Sequence, residues 1–226
     1  MVTPRVVDLS HPLRPGLEAR ELGIRRVDAT SITGAAPEDG WYIMHSVSLA
    51  SHVGTHIEVP YHALSYGGDL GSLSADRFVG PGKVLDLRGH ESDQSVPVEA
   101  VQAAVHRAGG LEAGDIVLCW TGWSSYYGQP TYDSPPFLSR GALEFLIGLG
   151  IKVLGIDTRG SMDPQRPDRE NHLPLFEANV AYLENLTNLR SIGTGRNLII
   201  ALPPAIHGLE GMPVRVVAIV WQGESH

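Results

Sequence analysis

Five compact apolar runs bounded by turn residues punctuate the chain: GKVLDLRG (82–89), DIVLCWTGW (115–123), KVLGIDTRG (152–160), NLIIALPPAI (197–206) and VRVVAIVWQ (214–222). Runs of this length and continuity predict buried strands. Between them, PVEAVQAAVHRAG (97–109) has apolar residues spaced near 3.6 and stops at Gly109, while SRGALEFLIGLG (139–150) opens on Ser139 as N-cap and stops at Gly150. Both predict helices. Upstream, VVDLSHPL (6–13) predicts a short strand running into a proline turn, and residues 14–40 mix proline, glycine and charge without a period, which predicts a long loop with short elements. From Trp41 the pattern changes, and HSVSLASHVGTHIEV (45–59), β-branched with polar residues interleaved, predicts paired strands. The alternation through the middle of the chain argues for the α/β class: a single domain over residues 1–226, a mixed β-sheet with flanking helices. No composition shift or fixed-period repeat divides it.

Composition narrows the partners. The chain of 226 residues carries 17 basic against 25 acidic side chains, a net charge of −8, so its field repels phosphate backbones and anionic membrane surfaces. Neither nucleic acid nor membrane is expected as a partner. The start, MVTPRVVDLS, lacks a basic stretch followed by an apolar run, and no apolar run approaches the roughly 18–20 residues of a membrane span. The expectation is a soluble, cytoplasmic protein. The single cysteine, Cys119, lies inside the apolar run IVLCW and is expected to be buried.

Ten histidines are the anomaly, and four of them, His45, His52, His56 and His62, fall between positions 45 and 62. In His52-Val-Gly-Thr-His-Ile-Glu-Val-Pro-Tyr-His62 every candidate ligand occupies an even position, so an extended chain puts His52, His56, Glu58 and His62 on one face. Val53, Ile57 and Val59 then point to a core. A helix would set Glu58 about 200° around from His56, and the β-branched run and Pro60 also argue against one. Gly54 is expected to leave space beside a bound ion. Imidazole with carboxylate suits zinc, manganese or iron(II), and a nitrogen and oxygen donor set without thiolate is usually catalytic. His45 is a nearby histidine outside this phase. The patterns His-Glu-x-x-His, Gly-x-Ser-x-Gly and Gly-x-x-x-x-Gly-Lys are missing, and Gly193-Thr-Gly195 lacks the third glycine of a dinucleotide turn.

The segment resembles the motif His-x-Gly-Thr-His-x-Asp-x-Pro-x-His of the cyclase-like metal-dependent hydrolases, a family that includes bacterial kynurenine formamidase and isatin hydrolase. It departs only at Glu58, where the family has Asp. VVDLSHPL, VLGIDTRGSMDP (153–164), NHLPLFEANVAYLENLTNL (171–189) and IHGLEGMPVRVVAI (206–219) extend the resemblance over most of the chain. The resemblance implies that His52, His56 and Glu58 are metal ligands and that His62 is a neighbour of the ligands or an acid/base group. It implies that His172 and Glu184 complete a second metal position or act in proton transfer. It also implies a swivelling β/β/α fold and a homodimer.

The function expected is metal-dependent hydrolysis of an amide-like C–N bond, linear or cyclic, in a small molecule. The cofactor is one or two divalent ions per chain, zinc or manganese, activating water and polarising the carbonyl. His62 is the first candidate for proton donor to the leaving nitrogen and Glu184 the second. Trp120, Trp123 and Tyr126, with Tyr127 and Tyr132, follow a predicted strand and read either as an aromatic substrate pocket or as core. A lyase, cyclase or lactone hydrolase on the same metal, and a non-catalytic metal or small-molecule binding protein, are the alternatives.

Overall fold

The apolar runs become the middle of one large sheet. The computed structural model describes residues 3–27, 34, 43–160 and 172–221. In chain order the strands are β1 (Pro4–Asp8), β2 (Leu22–Val27), β3 (Met44–Leu49), β4 (His56–Glu58), β5 (Val79–Asp86), β6 (Ser95–Val96) and β7 (Ile116–Trp120). They continue with β8 (Phe137–Leu138), β9 (Val153–Ile156), β10 (Ala181–Glu184), β11 (Asn197–Ile200), β12 (Gly211–Pro213) and β13 (Val217–Trp221). The helices are α1 (Val98–Arg107), α2 (Arg140–Gly148) and α3 (Leu173–Glu177).

Nine strands form the sheet in the order β1-β13-β11-β5-β7-β9-β10-β4-β12. β5, β7, β9 and β10 are parallel, and antiparallel strands flank them on both sides. This is the mixed α/β architecture expected from the alternation of apolar runs and helical periods. Beyond β1 the chain runs on as Leu9 and Ser10, where Leu9 N–H donates to Val216 O and Ser10 bridges Leu186 just past β10, so the sheet curls on itself.

Alternation along each strand divides the apolar residues between two cores. Val117 and Cys119 of β7 pack under α1 and α2 with Val101, Leu143 and Leu146. Ile116 and Leu118 face the other way, toward Ile57, Leu183, Ile199 and Ala218 inside the curl. The free thiol of Cys119 is fully buried, as expected, and burial beside Asp157 pushes its pKa up.

Both long helices form where the 3.6 spacing predicted them. Ser139 Oγ accepts from Ala142 N–H at 3.2 Å and caps α2. The carboxyl end of α1 is closed from outside: Lys83 Nζ, reaching from β5, donates to the carbonyls of Ala108, Gly109 and Gly110 at 2.7, 3.3 and 2.9 Å.

Two expectations need correction, and one strand had none. The stretch 45–59 is not a pair of strands joined to each other: β3 pairs with β2 in a separate two-stranded sheet, and β4 pairs with β10 and β12. The strand in NLIIALPPAI stops at Ile200, ahead of Pro203 and Pro204, which cannot donate to a ladder. β10, only four residues long, carries no pattern of its own to announce it. Of the stretch VLGIDTRGSMDP (153–164), residues 161–164 lie outside the described residues. No helix among the described residues is long and apolar enough to cross a membrane.

Candidate metal centre

The carboxyl ends of β7, β9 and β10 meet on one side of the sheet, the edge where open parallel sheets carry their ligands. β10 delivers Glu184 there, and β4 lies antiparallel to it with His56 opposite Glu184 and Glu58 opposite Tyr182. Period-2 geometry turns His56 and Glu58 to the same face and sends Ile57, fully buried, into the core inside the curl.

The extended reading of 52–62 holds only for that strand. Residues 51–55 form a turn and Pro60–His62 a single 3-10 turn, so His52 and His62 reach the site through bends. Val53 and Val59 are buried as expected. Gly54 has a different role from the one expected: its φ is +62°, and a Cβ there would lie 2.2 Å from Leu13 Cδ2. The glycine makes the turn and admits Leu13; the Leu13 side chain, not an ion, fills the space beside it.

His172 stands directly before α3, and a turn through Asn179 (φ 58°) leads the chain back into β10. His172 and Glu184, twelve residues apart, therefore face each other at 3.4 Å.

Glu58 is the centre of the group. Its Oε1 lies 3.1 Å from His52 Nε2 and 3.3 Å from His56 Nε2, and its Oε2 lies 3.8 Å from His172 Nε2 and 4.0 Å from His62 Nε2. Glu184 Oε2 adds a contact of 3.5 Å to His56 Nε2. Burial opposes the charge of Glu58, but the His52 and His56 imidazoles beside its Oε1 and the charge of His172 win and hold its pKa well below the usual carboxylate range. For His56, burial works downward while Glu58 and Glu184 pull upward, and the net shift is up. His62 goes the other way, pushed down by burial and by His52 and His172.

The donor set asks for a cation. His56 Nδ1 donates to Gly54 O at 2.8 Å, which turns Nε2 toward the two carboxylates. His52 Nε2 and Glu58 Oε2 are both buried without a hydrogen-bond partner. A divalent ion would satisfy both orphans at once, whereas left alone each costs about 1–3 kcal/mol or more. Three triads bring their ligand atoms within 4.8 Å of one another: His52/His56/Glu58 and Glu58/His172/Glu184, which share the buried Glu58 carboxylate and suit a divalent ion, and the more exposed His52/His62/Glu210. All six residues singled out in the sequence thus come together around one carboxylate, while His45 sits exposed on β3 opposite Arg26.

The aromatic residues divide. Trp120 ends β7 facing the core inside the curl, the face opposite to His56 and Glu58, with the Arg88 guanidinium 3.8 Å above its ring. Trp123 and Tyr126 pack on each other at 5.0 Å, and Tyr127, next in the chain, stacks on His11 at 3.8 Å. The Tyr127 hydroxyl lies 3.7 Å from where a Gly54 Cβ would be, so this segment borders the ligand turn.

Sequence reasoning missed four supporting residues. Asp157 accepts from Thr121 N–H, Thr121 Oγ and Gly122 N–H at 2.8, 2.6 and 2.9 Å and fixes the turn that carries Trp123. Asn185 donates from Nδ2 to Gly54 O at 2.8 Å and accepts from the Tyr132 hydroxyl at 2.7 Å. Ser51 and Glu210 stand behind His52. Adjacency to Glu184 and to His52 was the available signal for Asn185 and Ser51; Glu210 had none beyond lying in a stretch that resembles the family.

A curled mixed sheet with a buried His/Glu cluster at the carboxyl ends of its parallel strands is the architecture of a metal-dependent enzyme. The Cyclase family model matches residues 7–163, and the chain belongs to that family. It is 32% identical to the kynurenine formamidase of Bacillus cytotoxicus over 76% of this chain and 77% of that protein. To the kynurenine formamidase of Bacillus cereus it is 28% identical over 96% and 98%. Among solved structures, isatin hydrolase A from Labrenzia aggregata, bound to benzyl benzoate, superposes with a TM-score of 0.82 at 27% identity, covering 97% of this chain and 94% of that one.

Proposed function

We propose that this chain is a metal-dependent hydrolase of an amide-like C–N bond, linear or cyclic, in a small aromatic molecule. The observation that carries the reading is the convergence of two imidazole Nε2 atoms on the buried carboxylate of Glu58, with His52 Nε2 and Glu58 Oε2 left unpartnered. His52, His56 and Glu58 would hold one ion, and Glu58, His172 and Glu184 offer a second position. Zinc or manganese suits these donors. When bound, such an ion supplies an activated water at neutral pH and polarises the substrate carbonyl.

The chain's own groups do the rest. His62 is the most exposed of the four clustered histidines, its side chain 34% accessible, and its ring centre lies 4.7 Å from that of His52. Neutral because its pKa is depressed, His62 Nε2 takes a proton from the attacking water and returns it to the leaving nitrogen. Glu184 is the second group placed for proton transfer. Trp123 and Tyr126 line the aromatic side of the substrate site, and burial of the ligands keeps bulk water from competing.

A single domain over residues 1–226 works as a cytoplasmic homodimer in this reading. The exposed cross-strand pair Ile24 and Val47, on the β2–β3 ribbon, supports self-association through an apolar face.

The test is a hydrolysis panel of N-formylkynurenine, isatin, a further cyclic amide and a lactone, with zinc or manganese and with excess chelator. Turnover of an amide that vanishes on chelation, with solvent ¹⁸O entering the product, is expected. Full activity in chelator, or product without solvent oxygen, overturns the reading.

A further inference from the structure

Behind His52, on the side away from Glu58, lies a second carboxylate that the proposed reaction does not use. Glu210 Oε1 accepts from Ser51 Oγ at 2.5 Å and stands 3.6 Å from His52 Nδ1. Ser51 Oγ is also 2.9 Å from His52 Nδ1. A serine hydroxyl has one proton, and an ionised carboxylate can only accept. The Ser51 proton therefore goes to Glu210, and His52 Nδ1–H donates to Ser51 Oγ. That leaves the lone pair of His52 on Nε2, the atom aimed at Glu58 Oε1.

The backbone under Glu210 is fixed on both sides. Its carbonyl accepts from Val59 N–H at 2.9 Å, next to β4, and the carbonyl of Leu209 accepts from Leu70 N–H at 3.0 Å. The carboxylate thus rides on the same framework as the ligands. His56, by contrast, has its Nδ1 held by a backbone carbonyl, that of Gly54, so of the two histidines flanking Glu58 Oε1 it is His52 whose Nδ1 is held by side chains.

We propose that Glu210 and Ser51 are positioning residues that act in series on His52, fixing its tautomer and ring orientation for metal ligation. This rests on His52 being a metal ligand, the reading given above. Metal-bound histidines generally donate their second ring nitrogen to such a partner, and losing that partner typically costs 10–100-fold in metal affinity. The geometry here differs from a direct carboxylate–histidine pair by one interposed hydroxyl. A relay in series fails completely when either member is removed.

The experiment measures zinc affinity by competition with a chromophoric chelator for the wild type and for Ser51→Ala, Ser51→Thr, Glu210→Ala, the Ser51→Ala/Glu210→Ala double variant and His52→Ala. Visible spectra of the cobalt-loaded proteins and melting of the metal-free proteins accompany it. Ser51→Ala and Glu210→Ala, which remove the hydroxyl and its acceptor, should each weaken zinc binding roughly 10–100-fold, and the double variant should lose no more than the larger single loss. Ser51→Thr, which keeps the hydroxyl, should stay within threefold of wild type, and the cobalt bands should shift in the weakened variants while metal-free melting stays unchanged. Unchanged affinity in Ser51→Ala or in Glu210→Ala overturns the relay, including the case where only Glu210→Ala weakens binding through loss of field. A double-variant loss equal to the product of the single losses also overturns it. If His52→Ala binds zinc as the wild type does, the metal-site reading fails rather than the relay alone.

Discussion

Glu58 offers two substitutions that separate charge from reach. Glu58→Gln keeps the length of the side chain and removes its charge; Glu58→Asp keeps the charge and draws it back by one methylene, about 1.5 Å. A unit positive charge about 3.1 Å from Glu58 Oε1, the separation at which the His52 Nε2 atom stands, interacts with that carboxylate by about 5.4 kcal/mol at an effective dielectric of about 20. At about 4.6 Å the same interaction is about 3.6 kcal/mol, a loss of about 1.8 kcal/mol or roughly 20-fold. Removing the charge altogether from a buried ionic group costs about 3–5 kcal/mol, roughly 10²–10⁴-fold. Zinc affinity should therefore fall in the order wild type, Glu58→Asp, Glu58→Gln, with the aspartate variant retaining metal at micromolar protein and the glutamine variant losing most of it. Chelator competition at pH 7 and physiological salt measures the constants, and melting of the metal-free variants checks that both fold. A Glu58→Gln affinity within threefold of wild type, or a larger loss in Glu58→Asp than in Glu58→Gln, refutes the assignment of Glu58 as the charged centre of the site.

His62→Asn should keep its metal and lose turnover by about 10²–10⁴-fold, the usual worth of general acid/base catalysis; unchanged turnover in the metal-replete variant removes His62 from the mechanism. Lys83→Met leaves three carbonyls at the end of α1 without their charged donor, and about 3 kcal/mol of lost stability, or roughly 6–12 °C in Tm for a chain of this size, is expected. A shift below about 2 °C in a calorimetric scan counts against the capping role. His11, stacked on Tyr127 and half-buried, has its pKa pushed down to about 4 by that burial, with Glu18 opposing. Its folded pKa lies below the unfolded value of about 6.5, so stability present above pH 6.5 is lost as pH falls toward 4. After discounting for partial exposure, the wild type should lose about 1 kcal/mol more than His11→Phe between pH 7 and pH 5 in urea unfolding. Parallel losses in the two proteins would show that His11 does not carry this dependence.

The parts of the fold legible in the sequence are those whose cause is local. β7 shows because five consecutive residues, IVLCW, are covered on both faces, and α2 shows because Ser139 and Gly150 bracket an apolar period. β10 was not legible, for AYLE is short and its burial comes from β9 and β4, which lie far away in the chain. The curl, closed by Leu9, Ser10 and Leu186, depends on contacts some 180 residues apart and leaves no periodic trace. At the site, even spacing correctly grouped His56 with Glu58, because both lie on one strand. It grouped His52 and His62 with them for a reason the structure does not share, since a left-handed Gly54 and a proline-initiated turn bring those two side chains in.

That division bears on the departure at position 58. Glu58 and Glu184 stand on β4 and β10, strands paired on both sides, so the backbone that carries each carboxylate cannot shift without moving its neighbours. His52, His62 and His172 stand on a turn, a 3-10 turn and the approach to a five-residue helix, segments held by fewer backbone pairings. A carboxylate one methylene longer than the aspartate of the motif this segment resembles advances about 1.5 Å into the cluster. The adjustment then falls on the histidines carried by bends rather than on the sheet. Charge at the centre is conserved while the imidazoles accommodate the extra reach, and His52, held from behind by Ser51, is where that accommodation is most directly constrained.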